Sequence, residues 1–187
     1  MDEREWKKAT ITNRAVYIKL IKTFPRYEYS SLETAAATND MLHEFFVKKL
    51  HDAKDKVFHL LQNSYELHQK ELTPELTKLR LDIDIFSDEV KMKFADLRKM
   101  EDEMMRELMK HDLEITESLE RFLEHLDDAH DKLMASYKPI DVDKLRHELA
   151  EIVILFKERE MITSLRQASL KKTYSRMSKE IEEKIRL

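Results

Sequence analysis

Apolar residues recur every three or four positions along most of this 187-residue chain, the spacing that places them on one face of an α-helix. Val16, Tyr17, Leu20, Ile21 and Phe24 form a first such face behind Asn13, a favourable N-cap residue. Pro25 ends it, because the residue before a proline is pushed out of the α region. Residues 1–11 are polar and read as a loose segment apart from Trp6. A second helix opens at Ser30 and Glu33, which stand at capping-box spacing, and is expected to run to Lys70. Its stripe is Leu42, Phe46, Leu50, Ala53, Val57, Leu60 and Leu67, interrupted at Ser64. Phe45, Phe58 and Leu61 widen the stripe, so this helix is expected to face more than one neighbour.

Thr73-Pro74-Glu75 restarts the pattern with an N-cap, a proline at the first helical position and an acid near the positive helix end. So short a break predicts an antiparallel hairpin. From Pro74 to Tyr137 no residue interrupts the third helix, which as one continuous rod would be about 95 Å long. Its seam is Leu76, Leu79, Ile83, Phe86 and Val90, then a less regular Phe94, Leu97, Met100, Met104 and Leu108, then Ile115, Leu119, Phe122, Leu126, Ala129 and Leu133. Lys138-Pro139 ends it. Ile140 and Leu145 stand as a hydrophobic staple around Asp141 as N-cap. A last helix follows to the C-terminus through Leu149, Ile152 and Phe156, slips near Arg159, and resumes at Ile162, Leu165, Leu170, Tyr174, Met177, Ile181 and Ile185.

The second and third helices differ too much in length to be matched end to end. The predicted fold is therefore all-α and elongated: a helical hairpin head followed by long coiled-coil-like stalk helices, with 98–187 forming either that stalk or a second hairpin. The expected divisions are an N-terminal segment with one short helix (1–29), the hairpin head (30–97), an acidic stalk helix (98–137), a proline link (138–141) and a basic C-terminal stalk helix (142–187).

Composition narrows the function classes. There is no glycine, against roughly thirteen expected at average usage. Phosphate-cradling loops, dinucleotide fingerprints and nucleophile elbows need glycine and are excluded. Left-handed helix caps usually need it too. There is no cysteine, so disulfides and thiolate metal sites are excluded. No 18-residue apolar run occurs, so no membrane span is expected, and the N-terminus lacks an apolar signal region. The formal charge of −4 gives no global reason to expect direct nucleic-acid binding.

Charge is unevenly placed. Residues 101–131 carry twelve acids and three bases, whereas 157–187 carry nine bases and five acids. Such asymmetry can align two segments within one chain or select a complementary partner. The stripe through Ile115, Leu119, Phe122, Leu126 and Leu133 is narrow and otherwise charged, so it needs other helices beside it. Those helices come either from the chain's own last segment or from another chain. Arg4, Lys7 and Lys8 around Trp6 form a candidate basic anchor for an acidic partner peptide, and Phe45 and Phe58 beside the main stripe are candidates for an exposed docking surface.

Eight histidines prompt a search for metal chemistry. Asp40 with His43, and Asp127 with His130, stand at i, i+3 spacing, but di-metal bundles use Glu-x-x-His with further inward glutamates, which are lacking here. His111 and His125 have no such company either. No catalytic residue, cofactor or metal is expected, and the chain is not expected to be an enzyme. Met100, Met104, Met105 and Met109 can serve as core filler or an adaptable docking surface. Lys7-Lys8-Ala9-Thr10 and Arg166-Gln167-Ala168-Ser169 place bases before a hydroxyl, as basophilic kinases require.

Met41-Leu42, Phe45-Phe46, Lys49-Leu50, Val57, Leu60-Leu61, Glu66-Leu67, Leu76, Leu79 and Ile83 lie in an order that resembles the polyamine-modulated-factor family, one of four chains of the MIND kinetochore complex. The resemblance covers residues 30–97. It implies a structural subunit of a hetero-oligomeric coiled-coil assembly in the nucleus, at the centromere, linking the chromosome to microtubule-binding machinery. In that reading Phe46, Leu50, Val57 and Leu60, with Leu79, Ile83 and Phe86 opposite, meet a sister hairpin, and the basic N-terminal residues receive the inner-kinetochore protein CENP-C. The rival expectation is a cytoplasmic membrane-associated helical protein of BAR-like or vesicle-tethering type, which needs a continuous basic face.

Overall fold

In the computed structural model, which describes residues 3–92, 102–135 and 140–163, the apolar periodicity becomes six α-helices, with no strand among the described residues. They are α1 Glu3–Thr12, α2 Arg14–Thr23, α3 Leu32–Glu66, α4 Thr73–Met92, α5 Asp102–Met134 and α6 Val142–Thr163, with a 3-10 turn at Lys70–Leu72. Residues 3–11 are therefore helical and not a loose segment. Trp6 and Ala9 are buried, and the Trp6 ring meets Tyr17 and Tyr29 edge-on at centroid distances of 5.7 and 6.1 Å. Asn13 precedes α2 as expected but makes no side-chain capping bond.

The caps show where local chemistry overrode the expected boundaries. Ser31, one residue after the expected Ser30, caps α3 through a reciprocal box with Thr34: the Thr34 amide donates to Ser31 Oγ at 3.1 Å, and the Ser31 amide donates to Thr34 Oγ1 at 2.9 Å. Asp141 caps α6 as expected, its Oδ1 accepting from the Lys144 amide at 2.9 Å, and Ile140 and Leu145 join the core. Thr73 is no cap, because the 3-10 turn runs directly into α4 with Thr73 already helical.

The end of α3 shows how a chain without glycine turns. His68 takes φ of 58°, the left-handed region. The Gln69 amide donates to the Ser64 carbonyl at 2.9 Å and the His68 amide to the Tyr65 carbonyl at 3.2 Å, the paired bonds of a Schellman cap. The expectation that lack of glycine removes such caps is corrected here: an exposed histidine accepts the strained angle because the last carbonyls of α3 gain partners.

Cross-helix pairs fix the topology. Lys54 meets Asp84 at 2.5 Å and Arg80 lies over the Phe58 ring, so α3 and α4 run antiparallel, as the predicted hairpin requires. Lys49 pairs with Glu120, Lys56 with Asp127, and Asn63 with His130, so α3 and α5 run parallel. His125 with Glu148 and Asp112 with Arg159 make α5 and α6 antiparallel. Each of α3 and α6 packs against both α4 and α5, while α1 and α2 pack on α5. The result is a four-helix bundle with α4 and α5 on one diagonal.

This arrangement corrects the continuous third helix, and of the two expectations for the segment after it, stalk or second hairpin, α5 and α6 form the hairpin. Because α4 is antiparallel to α3 and α5 parallel to it, α4 and α5 point in opposite directions and are not parts of one rod. The acidic segment is a bundle member whose seam is filled by α3 and α6. Phe94, Leu97, Met100, Pro139 and the predicted positions from Leu165 onward lie outside the described residues, as does the side chain of Met104. Met105 and Met109 are core.

Candidate functional site

The most buried polar cluster joins four parts of the chain. Asp112 on α5 and Arg159 on α6 both occupy positions within apolar stripes, Asp112 between Leu108 and Ile115, and Arg159 between Phe156 and Ile162. Arg159 Nε donates to Asp112 Oδ1 at 2.6 Å, and its Nη2 donates to Asn39 Oδ1 on α3 at 2.9 Å. Asp112 Oδ2 accepts from the hydroxyls of Tyr27 at 2.6 Å and Tyr29 at 3.0 Å, which reach in from the loop between α2 and α3. That loop is also held by Thr38, whose Oγ1 accepts from the Glu28 amide at 2.9 Å and donates to the Glu28 carbonyl at 2.7 Å.

Burial pushes the Tyr27 and Tyr29 hydroxyls well above the ordinary tyrosine value, and the Asp112 charge pushes them further. Burial alone would lower the Arg159 value, but Asp112 more than offsets it, so the guanidinium is held charged. Asp112, Arg159, Tyr27 and Tyr29 are all buried, so what the cluster does is hold segments of the chain together. It locks the N-terminal segment and α3 onto the α5–α6 pair.

Open surface is found elsewhere. A cleft of about 430 Å³ runs between α4 and α6, floored by Phe86, Leu149 and Val153 and edged by Ile85, Ala150 and Ile154. Its charged lining residues are Asp82 and Glu89 from α4 and Arg146 and Lys157 from α6. They pair across the helices, Arg146 with Asp82 at 3.1 Å and Lys157 with Glu89 at 3.9 Å. Leu81 and Ile85 on α4 are 58% and 55% exposed, and Ile154 and Met161 on α6 are 56% and 52% exposed. A second cleft, about 390 Å³, is lined by Glu107, Lys110, His111, Glu114 and Glu158 between α5 and α6. Among the described residues no three His, Cys, Asp or Glu side chains group to hold a metal ion.

The residues singled out in the sequence separate cleanly by burial. Phe46, Leu50, Val57, Leu60, Leu79, Ile83 and Phe86 are buried, as are Ile115, Leu119, Phe122, Leu126 and Leu133. Their expected role as a partner-binding surface is corrected: bundle closure within the chain fills these seams, with Phe86 meeting Phe156 at 5.5 Å as one example. Phe45 is half-buried against Phe24 at 5.0 Å, under Lys49. Phe58 is 47% exposed, with the Arg80 guanidinium over its ring at 5.4 Å. Arg4, Lys7 and Lys8 are exposed on α1; Lys7 pairs with Glu3 at 2.5 Å, and that hydrogen bond raises its pKa. His130 meets Asn63 at 2.9 Å and His125 meets Glu148 at 2.8 Å, both as links between helices.

Asp112, Arg159, Tyr27 and Tyr29 escaped the sequence reading, although a signal existed. The seam lapses between Leu108 and Ile115, and the slip near Arg159 is a charged residue at core spacing, three after Phe156 and three before Ile162. Two polar residues of opposite charge at stripe positions on separate helices point to a buried pair. No helix among the described residues is long and apolar enough to cross a membrane. The chain matches no protein-family model, no curated protein and no solved structure.

Proposed function

We propose that this protein is a non-enzymatic structural subunit that holds other helical chains in a multi-chain assembly. The observation that supports this reading is the α4–α6 face, where Ile85 and Ile154 stand more than half exposed in the lining of an open cleft that Phe86, Leu149, Ala150 and Val153 make largely apolar. Single exposed apolar residues are ordinary, whereas several together beside a groove mark a docking surface. A groove between two helices takes an amphipathic helix with apolar anchors spaced over two turns. The assembly we propose, on the resemblance of residues 30–97, is a kinetochore complex in the nucleus, with Arg4, Lys7 and Lys8 as the contact for an acidic segment such as one in CENP-C. The head seam is filled from within, so docking in this reading moves from the hairpin interior to the α4–α6 face.

The test is affinity purification of the full chain from cells, with identification of co-purifying proteins, in parallel with Ile85→Lys/Ile154→Glu. Recovery of centromeric helical proteins with the native chain, and their loss with the variant, is the expected result. Equal recovery with both forms overturns the assignment of this face. Recovery of lipid vesicles in place of protein would favour the membrane-associated rival.

A further inference from the structure

We infer that the outward face of α1 and α2 binds a flexible acidic segment of another protein, pairing its acids with Arg14, Lys22 and Arg26 and seating its apolar residues on Ile11 and Ile18. This rests on the reading of Arg4, Lys7 and Lys8 as the contact for such a segment. It carries that contact across α2 and names the chemistry that fits it.

Charge is the first support. From Arg4 to Arg26 the chain carries seven bases and one acid, in a protein whose formal charge is −4. All seven bases are exposed, whereas the acid, Glu5, is partly buried. Trp6 and Ala9 turn inward from α1, and Leu20 from α2, which leaves the bases outward. Two of them are already engaged, Lys7 with Glu3 at 2.5 Å and Lys19 with Glu117 at 2.8 Å. Arg14, Lys22 and Arg26 have no ion-pair partner among the described residues. A local excess of one sign on a protein of the opposite sign attracts a complementary partner.

Apolar residues and shape decide which anionic partner fits. Ile11 and Ile18 stand among these bases, 76% and 40% exposed. Phosphate backbones are held by bases alone, so a nucleic acid would leave both isoleucines uncovered. A bilayer would cover them, but it needs the bases and apolar groups on one plane. The face is not planar. Asn13, between α1 and α2, takes φ of −111° and ψ of 35°, outside the helical region. The Trp6 and Tyr17 rings meet at 5.7 Å, whereas a straight helix would set residues 6 and 17 about 16 Å apart along its axis. The helices therefore bend toward the inner side, where both rings pack, and their outer face is convex. A flat membrane touches only part of a convex face, while a flexible chain follows it. Two helices of 10 residues each make a path of about 30 Å, which an extended segment of roughly nine residues covers.

The test is fluorescence anisotropy on the full chain with a labelled synthetic peptide of glutamates interspersed with leucines. A serine-for-glutamate peptide, duplex DNA and phosphatidylserine vesicles run beside it. Arg14→Glu/Lys22→Glu reverses two exposed charges, and circular dichroism checks that its helical content is unchanged. The expected result is binding of the acidic peptide and not of the serine peptide. Its affinity should fall at least about tenfold from low to high salt, and at least about tenfold in the variant. Equal binding by native chain and variant overturns the surface. Vesicles or DNA bound through Arg14 and Lys22 more tightly than the peptide overturn the acidic segment as its occupant. No peptide bound, by a chain that still captures helical proteins through Ile85 and Ile154, overturns this surface and leaves the assembly reading standing. Peptide bound through Arg14 and Lys22 by a chain that captures no helical protein supports this surface and removes that reading.

Discussion

Asp112 and Arg159 meet between α5 and α6 with Oδ1 and Nε 2.6 Å apart, and neither side chain reaches solvent. A charge buried this completely is tolerable only with its counter-charge and its remaining hydrogen bonds in place. Here the carboxylate accepts from Arg159 and two tyrosines, and the guanidinium also reaches Asn39. The pair thus gathers α3, α5, α6 and the loop before α3 into one register.

Removing one member leaves the other buried and uncompensated. Asp112→Leu and Arg159→Met are each expected to cost about 3–5 kcal/mol of stability. The double replacement should cost clearly less than their sum, because no unpaired charge is left, although Tyr27, Tyr29 and Asn39 lose a partner. Urea unfolding of the four proteins supplies the double-mutant cycle. Strict additivity would show that the pair is not coupled.

Alkaline pH should loosen the same junction. Tyr27 and Tyr29 ionise above their ordinary value in the folded chain because they are buried and face Asp112. Above about pH 10 the unfolded chain loses these protons while the folded chain keeps them, so the folded state binds more protons and stability falls as pH rises. Their contribution is complete below about pH 10 and declines above it by up to about 1.4 kcal/mol per pH unit for each tyrosine. Tyr27→Phe should make the decline less steep. Phenolate absorbance from both residues should appear only together with unfolding; ionisation in a still-helical chain would contradict this.

At His68 the left-handed angle costs a residue with a Cβ about 1–2 kcal/mol, partly recovered because glycine has more unfolded freedom to lose. His68→Gly should therefore raise stability by about 0.5–1 kcal/mol with no change in helical content. His68→Val, branched at Cβ, should lower it. A destabilising glycine would mean that the imidazole makes a contact worth more than the strain.

These residues also mark how far the sequence could be read. Helix existence followed from periodicity, since Leu42, Phe46, Leu50, Ala53, Val57 and Leu60 lie on one face whatever they pack against. The hairpin of α3 and α4 followed from the short break before Pro74. The partner of each face did not follow. A stripe such as Ile115 to Leu133 states that something covers it, and the narrow charged pattern is equally compatible with an internal or an external helix. The α4–α5 reversal lacked the usual marks, because no glycine or proline stands between Met92 and Asp102. The buried junction depends on residues far apart in sequence, Arg159 standing 120 positions after Asn39. The open face was hidden for the opposite reason: Ile85 and Ile154 lie off the main stripes and look like scattered surface residues until α4 and α6 are set side by side.

Whether the seams belong to the chain itself can be decided by how substitutions couple to concentration. Leu50 on α3 and Leu126 on α5 are fully buried, so Leu50→Ala and Leu126→Ala should each lower stability by about 2–5 kcal/mol through lost contact and the cavity left behind. Because this loss occurs inside one chain, each variant should melt lower by the same amount at every protein concentration. Phe58→Ala removes a ring that is 47% exposed beneath Arg80, and should cost only about 0.5–1 kcal/mol of packing and cation–π contact. A change at an interface between chains behaves differently: it weakens association, so its effect on melting shrinks as concentration falls and the complex dissociates. Leu50→Ala and Leu126→Ala shifts that fade on dilution would return these leucines to a partner interface. Shifts that stay constant, beside a concentration-dependent effect of Ile85→Lys, would place cohesion in the seams and assembly on the α4–α6 face.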